Sequence, residues 1–277
     1  MGGVPLLRPE AIIWYLECQR MCALSILGHM HRIAVTGSNG TIGRRLCPDL
    51  AHEYQVVRID RVDADVNLDI ADLAALKRAF DGCETVIHLA ASVSTSAPWE
   101  DVQRNNIAGT YNVFEAARQA GCVRVIFASS HHVVGRYQLE RRANGNAGAL
   151  DTPLSADVPP RPDSLYAVSK VFGESLGRYF SETFGIQVAC IRIGSMNDAD
   201  SATSQRSRLP WRRNTEVEKW QAAKWLSHRD FARLVRAILK RNVQYAVVYG
   251  VSDNANRVWD LAPARDLYDY SPLDSAQ

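Results

Sequence analysis

A chain of 277 residues has room for one large α/β domain with a small appendage and is short for two full domains. Hydrophobic residues at 47% and charged residues at 22% are ordinary for a globular fold, and a net charge of +2 gives no electrostatic footing for nucleic acid or an anionic membrane. These numbers point to a small molecule as the partner.

Residues 1–29 stand apart. The stretch 11–27 is apolar but interrupted by Glu17, Gln19 and Arg20, so it is too broken to span a bilayer and lacks the continuous apolar core of a signal peptide. It is read as an N-terminal extension, with Met30 opening a single domain over 30–277. Cys18, Cys22, Cys47, Cys83, Cys122 and Cys190 show no zinc spacing and read as reduced, packed thiols, consistent with a cytoplasmic protein.

From His31 onward, short β-branched runs alternate with amphipathic stretches, the pattern of a parallel sheet with crossover helices. Strands are expected at 32–36, 55–59, 85–89, 123–128, 187–193 and 245–249, and helices at 42–52, 73–80, 98–120 and 166–184. The Gly-, Asn-, Pro- and Asp-rich stretch 141–163, like 197–218, reads as a long loop that walls a ligand site at the carboxyl ends of strands.

The first strand runs into Gly37-Ser38-Asn39-Gly40-Thr41-Ile42-Gly43 and then a helix, the context of a dinucleotide fingerprint. Gly37 permits the tight turn, Gly40 lets the backbone approach a pyrophosphate, and Gly43 lets the helix pack on the strand, while Asn39, Thr41 and Ile42 complete the loop. An ordinary βα turn is the plainer alternative. Asp60, which closes the second strand, accepts from adenosine ribose hydroxyls in this scheme and favours NAD over NADP, although Arg58 and Arg61 flank it. Asp69, with Ile70 beside it, is a second candidate on the adenine side.

Tyr166 and Lys170 lie four residues apart at the start of a helix, downstream of Ser129-Ser130 at the end of a strand. That spacing puts phenol and ammonium on one face, and a cation there is expected to lower the phenol's pKa from about 10. The same spacing is common on solvated helix faces, so the weight lies in the serine and the upstream nucleotide loop. His131 and His132 invite a metal reading, but neighbours on a strand end point to opposite faces and no carboxylate or cysteine cluster joins them, so no metal is expected. Trp211, Trp220 and Trp225 read as core.

Five segments together resemble the extended short-chain dehydrogenase/reductase superfamily, also called the NAD-dependent epimerase/dehydratase family. They are the 36–43 turn, His88-Leu-Ala-Ala91, Asn106-Ile-Ala-Gly-Thr-Tyr-Asn112, Ala128-Ser-Ser130 and Tyr166-Ala-Val-Ser-Lys170. The resemblance covers nearly everything after Met30. It implies a Rossmann-type doubly wound α/β fold, with 30–195 mainly NAD-binding core and 196–277 mainly a small C-terminal substrate-binding region and the last strand. It assigns Ser130, Tyr166 and Lys170 to catalysis, with Tyr166 as base and Lys170 also holding the cofactor ribose. Leu89, Ala90, Ala91, Asn106 and Ser195 fall on the cofactor side, and Ser94, Ser130, His131 and Tyr166 on the substrate side.

Within the superfamily, Ser129-Ser-His-His-Val-Val-Gly135, Arg161-Pro-Asp-Ser-Leu-Tyr166, Arg192-Ile-Gly-Ser195 and Trp225-Leu-Ser-His-Arg-Asp-Phe231 are similar to uronate dehydrogenases and related archaeal sugar dehydrogenases. That implies NAD-dependent oxidation of the C1 hydroxyl of a sugar or sugar acid to a lactone. A nucleotide-sugar epimerase with tightly bound NAD and a non-catalytic NAD-binding protein are the alternatives. The chain departs from the uronate enzymes at Lys219-Trp220, near where they carry a carboxylate-binding arginine, and in a longer segment, 198–218. There Arg206, Arg208, Arg212 and Arg213 are candidates for an anionic group, with a solvated basic loop as the plainer reading. The resemblance further implies a homodimer, or a higher homo-oligomer, through the helices expected at 98–120 and 166–184.

Overall fold

The computed structural model describes residues 30–143, 153–202 and 215–276. Within them the short apolar runs become β1 (Arg32–Thr36), β2 (Gln55–Asp60), β3 (Val66–Asn67), β4 (Thr85–His88), β5 (Arg124–Ser130), β6 (Gln187–Ile193) and β7 (Tyr245–Gly250). All pair in parallel, in the order β3-β2-β1-β4-β5-β6-β7. Strands β4 and β5 are buried along their whole length. A parallel sheet covered on both faces demands continuous apolar runs of this kind.

The helices are α1 (Gly43–Leu50), α2 (Leu73–Ala79), α3 (Trp99–Asp101), α4 (Gly109–Gln119), α5 (Gly135–Ala143), α6 (Leu165–Phe184), α7 (Thr215–Ala223), α8 (His228–Leu239) and α9 (Ala262–Tyr268). One core holds Leu46 and Leu50 of α1, Phe231, Leu234 and Val235 of α8, and Tyr268 of α9. The other holds Leu76 of α2, Val113 and Phe114 of α4, and Phe180 of α6. Each such fully buried Leu or Phe contributes about 1.5–3 kcal/mol of transfer free energy, so the sheet is held from two sides.

Several expectations shift in the folded chain. A seventh strand, β3, pairs only Val66 with Ile59 and Asn67 with Asp60, and two residues are too few for an alternation to register. The single helix expected over 98–120 is α3, a π-helical stretch Val102–Ala108, and α4. Helix α5 begins before the loop read at 141–163, and α7 occupies the end of the one read at 197–218. Helices α8 and α9 had no counterpart in the expected elements. The extension 1–29, with Cys18 and Cys22, and Arg206, Arg208, Trp211, Arg212 and Arg213 lie outside the described residues. Cys47, Cys83, Cys122 and Cys190 are free and buried, and burial pushes the Cys47 and Cys83 thiols up to about 11. That makes them packing groups rather than nucleophiles.

Candidate active site

The chain leaves β1 toward β2 on one side and returns through β4 on the other, so the strand order reverses between β1 and β4. Loops after the two strands diverge there and open a crevice. Gly37 turns the chain after β1 with φ of 73°, and a Cβ on it would lie 2.6 Å from the Ala90 amide nitrogen in the loop after β4. A Cβ on Gly43 would lie 2.4 Å from the Gly37 carbonyl oxygen. Both obstacles are backbone and neither can yield. No side chain caps the first turn of α1, and that helix end faces the crevice through Thr41, Ile42 and Gly43. The result is a cleft of about 920 Å³, within the usual range for cofactor sites.

Gly37, Asn39 and Gly40 line one end of it, with Asp60, Asp69 and Ile70 beyond. The Asp60 carboxylate accepts from the amides of Asn39 at 2.9 Å and Arg61 at 2.8 Å. Arg58, expected to flank Asp60, instead pairs with Asp65 at 2.8 Å, and among the described residues Arg61 is the arginine that lines the cleft. The Ala71 amide and Arg104 hold the Asp69 carboxyl below the usual carboxylate range.

At the other end, β5 finishes at Ser130, whose hydroxyl accepts from the His132 amide at 3.2 Å. Tyr166 sits in the first turn of α6, a turn capped by Ser164 accepting from the Ala167 amide at 3.2 Å. Tyr166, Lys170 and Glu174, spaced by four, are all buried on the same face. Lys170 Nζ lies 4.9 Å from the Phe127 ring centre and 5.6 Å from that of Tyr166. Burial depresses the lysine to about 8. The expected lowering of the Tyr166 phenol by Lys170 is corrected here: burial raises it, a hydrogen bond with Ser130 pulls it down, Asp163 adds a further rise, and the net direction is up. Desolvation of the phenolate outweighs the hydroxyl's help.

Leu89, Ala90, Ala91, Ser195, Ser130, His131, Tyr166 and Lys170 all line the cleft as expected, but two predicted residues do not. Ser94 is exposed and bonds Ser96 at 2.9 Å. Asn106 is buried one layer back, where it accepts from the Ser92 amide at 2.7 Å and donates to the Ser92 carbonyl at 2.9 Å and to Ser169 Oγ at 3.0 Å. It braces the loop after β4 rather than touching the cleft. The histidines also depart from the expected divergence. They sit on a 3₁₀ turn, His131–Val134, with ring centres 4.2 Å apart, and both line the cleft. Burial and the neighbouring His132 and Lys224 keep the His131 imidazole neutral, well below its ordinary pKa. Among the described residues no group of three His, Cys, Asp or Glu is placed to hold a metal.

Three features escaped the sequence reading. Glu174 pairs with Arg192 through two 2.9 Å bonds and accepts from Ser129 Oγ at 2.6 Å, while Arg192 also donates to the Ala156 carbonyl at 2.9 Å and to Tyr249 Oη at 3.2 Å. This buried network ties β5, next to Ser130, to α6, β6 and β7; a charged residue inside the otherwise apolar β6 was the available signal. His132 Nδ1 meets Asp163 at 2.7 Å beside the Tyr166 ring. Lys224 lines the cleft, whereas Lys219, the lysine singled out from the sequence, is exposed and absent from its lining.

The NAD dependent epimerase/dehydratase family model matches residues 33–247. The chain belongs to this family. Its relatives within and around the family include the L-arabinose 1-dehydrogenase (NAD(P)(+)) of Haloferax volcanii, 35% identical over 89% of this chain and 98% of that protein. The NAD-dependent glucose-6-phosphate dehydrogenase of the same organism is 33% identical over 88% of this chain and 94% of its own length. The crystal structure of an Agrobacterium tumefaciens uronate dehydrogenase mutant complexed with NAD superposes with a TM-score of 0.72, at 31% identity, over 89% of this chain and 86% of that one. With the epimerase/dehydratase fold and crevice in place, the chain is an oxidoreductase acting on CH–OH groups, and its cofactor is NAD. No helix among the described residues is long and apolar enough to cross a membrane.

Proposed function

We propose that this protein is a sugar dehydrogenase that uses NAD to oxidise the C1 hydroxyl of a small sugar or sugar acid, uronate-like or phosphorylated, to a lactone. The observation that carries the reading is the convergence of Ser130, Tyr166 and Lys170 at one end of a cleft whose other end is the glycine loop and Asp60. Its relatives include dehydrogenases named for a pentose, a hexose phosphate and uronates.

The residues present fit the cofactor. The cradle that a Cβ at Gly37 or Gly43 would fill suits a pyrophosphate. With NAD bound, Asp60 would accept from the adenosine ribose, Asp69 and Ile70 would stand on the adenine side, and Leu89, Ala90, Ala91 and Ser195, which also line the cleft, would border the nicotinamide side. When bound, NAD supplies the acceptor for the hydrogen removed from C1.

Tyr166 takes the hydroxyl proton at its phenol oxygen, acting as the base. Ser130 bonds the same substrate oxygen, and its hydroxyl is also the group that stabilises the phenolate. Lys170, buried beside the Tyr166 ring, would hold the cofactor ribose through its ammonium. Neutral His131 orients a sugar oxygen without bringing charge to the reacting carbon. Asn106 supports from behind, keeping the Ser92 loop in register.

The test is NADH formation with NAD and a panel of D-glucuronate, D-galacturonate, glucose 6-phosphate, L-arabinose, D-glucose and UDP-glucose. NADH with a free sugar, its acid or its phosphate, together with a lactone product, is the expected result. Absence of NADH with every free sugar, or epimerisation of UDP-glucose without net NADH, would overturn it.

A further inference from the structure

Two separate segments are stitched together beside the reacting end. The 3₁₀ turn His131–Val134 starts at Ser130, whose hydroxyl accepts from the His132 amide at 3.2 Å. The segment ahead of α6 lies along it, with the Arg161 amide donating to the Val133 carbonyl at 2.9 Å and the Arg136 amide to the Arg161 carbonyl at 3.0 Å. Asp163 packs against Gly135, where a Cβ would lie 2.0 Å from the carboxylate Oδ2. That same oxygen meets His132 Nδ1 at 2.7 Å, and Oδ1 accepts from the Ser164 hydroxyl at 3.0 Å. Ser164 caps α6, so the carboxylate joins the turn that follows Ser130 to the helix that carries Tyr166.

This clamp fixes what the imidazole can do. A carboxylate only accepts, so Nδ1 carries the hydrogen and Nε2 the lone pair. Burial raises the Asp163 carboxyl, but the bonds from His132 and Ser164 bring it below its usual range, and it stands ionised beside the ring. The His132 ring meets Tyr166 edge-on, with ring centres 6.2 Å apart and planes at 74°, and both residues line the cleft. Tyr166 is only 9% exposed, whereas the His132 side chain is 29% exposed. A titratable ring that is open to water therefore stands against a phenol that is nearly closed to it.

We propose that His132, held by Asp163, carries out to solvent the proton that Tyr166 takes from the substrate. This rests on the sugar dehydrogenase reading and goes beyond it to the fate of the proton. In the oxidation the substrate O–H bond breaks and its proton forms the Tyr166 O–H bond. That bond breaks in turn as the proton passes, through water entering the cleft, to His132 Nε2, which leaves the phenolate ready for the next substrate. The imidazolium, paired with the Asp163 carboxylate, then gives the proton to bulk water from its exposed edge. Asp163 acts through His132 as a positioning residue, orienting the ring and stabilising its charged form by a charge-assisted hydrogen bond.

The test compares kcat at neutral pH, with whichever sugar of the panel the parent oxidises, in the parent, His132→Ala and His132→Asn proteins, with and without added imidazole. Asparagine keeps a side-chain N–H for Asp163 but has no nitrogen that takes up a proton. The expected result is a fall in kcat of roughly 10²-fold in both variants, as for loss of one acid–base group, with NAD affinity by calorimetry unchanged. Added imidazole is expected to restore part of the rate in His132→Ala, and more basic methylimidazoles more of it. A His132→Asn protein with kcat within a few-fold of the parent shows that only the bond to Asp163 matters and overturns the inference. So does a loss in His132→Ala that no imidazole restores. If His132→Ala no longer binds NAD, kcat of His132→Asn decides alone. A parent that gives no NADH with any sugar ends the dehydrogenase reading and this inference with it, whereas a parent that turns over beside unimpaired variants sinks the inference only.

Discussion

Lys170 is held in the fold at a cost to stability, and replacing it by methionine exposes that cost. Its ammonium is buried against the Phe127 and Tyr166 rings, and burial depresses it from 10.5 to about 8, a difference of about 3 kcal/mol against the folded state while the amine is protonated in both states. Between pH 8 and 10.5 the unfolded chain holds more protons than the folded one, so this contribution to stability rises with pH across that window. Below pH 8 the penalty is complete, and above 10.5 it is gone. The two ring contacts return about 1–2 kcal/mol. Lys170→Met, which keeps most of the side-chain volume, is therefore expected to be more stable than the parent by about 1–3 kcal/mol near pH 7, with the advantage shrinking as pH approaches 10.5. Urea unfolding of both proteins at several pH values measures this through the midpoint, with the slope checked for constancy. A variant less stable than the parent near neutrality, or an advantage that does not change with pH, would refute the reasoning. The same substitution is expected to abolish turnover, a stability gain taken at the expense of function.

Tyr166→Phe removes only the ionisable oxygen, so kcat is expected to fall by roughly 10²–10⁴-fold while NAD affinity, read by calorimetry, stays in place; retained turnover would remove Tyr166 from the role of base. On the proposed reading Asp60 is the acceptor at the adenosine end and the charge that opposes a 2′-phosphate, so in Asp60→Ala the ratio of NADP to NAD efficiency is expected to rise, and an unchanged ratio would assign cofactor choice to another residue. Arg192→Met leaves Glu174 buried without its cation and is expected to cost about 3–5 kcal/mol. Adding Glu174→Met is expected to recover most of that loss, because a buried ion pair replaced as a unit by apolar groups is near neutral; a double variant as unstable as the single one would show that the network's contacts to Ser129, Ala156 and Tyr249 matter more than its charge.

Residues close together in the chain made much of this protein legible. The Gly37, Gly40 and Gly43 spacing, Asp60 at the end of β2, and the four-residue step from Tyr166 to Lys170 are local patterns. The period of apolar residues marked six of the seven strands and four helical stretches, because burial on two faces or one face imposes a period directly on the sequence. What failed locally failed for visible reasons. Val66–Asn67 is too short to alternate, Pro98 and the helical pattern after it gave no sign of the π turn, and the two histidines were assigned strand geometry where the backbone had already turned into a 3₁₀ helix.

The sequence by itself determined the parallel α/β class through its apolar periods and wrote the glycine loop and the Tyr166–Lys170 step in short-range spacing, whereas joining Ser130 to that pair came from the family resemblance. Only the tertiary structure decided which charges meet. Arg58 turns to Asp65 and leaves Arg61 at the cleft, Glu174 finds Arg192 across α6 and β6, Ser94 drops out of the site, and Lys224 rather than Lys219 lines it. Pairings of this kind depend on distances between elements far apart in the chain, and the pKa of a buried group depends on how completely the surrounding elements exclude water. The upward shift of Tyr166 is therefore a property of the packed fold, although its spacing from Lys170 suggested the reverse.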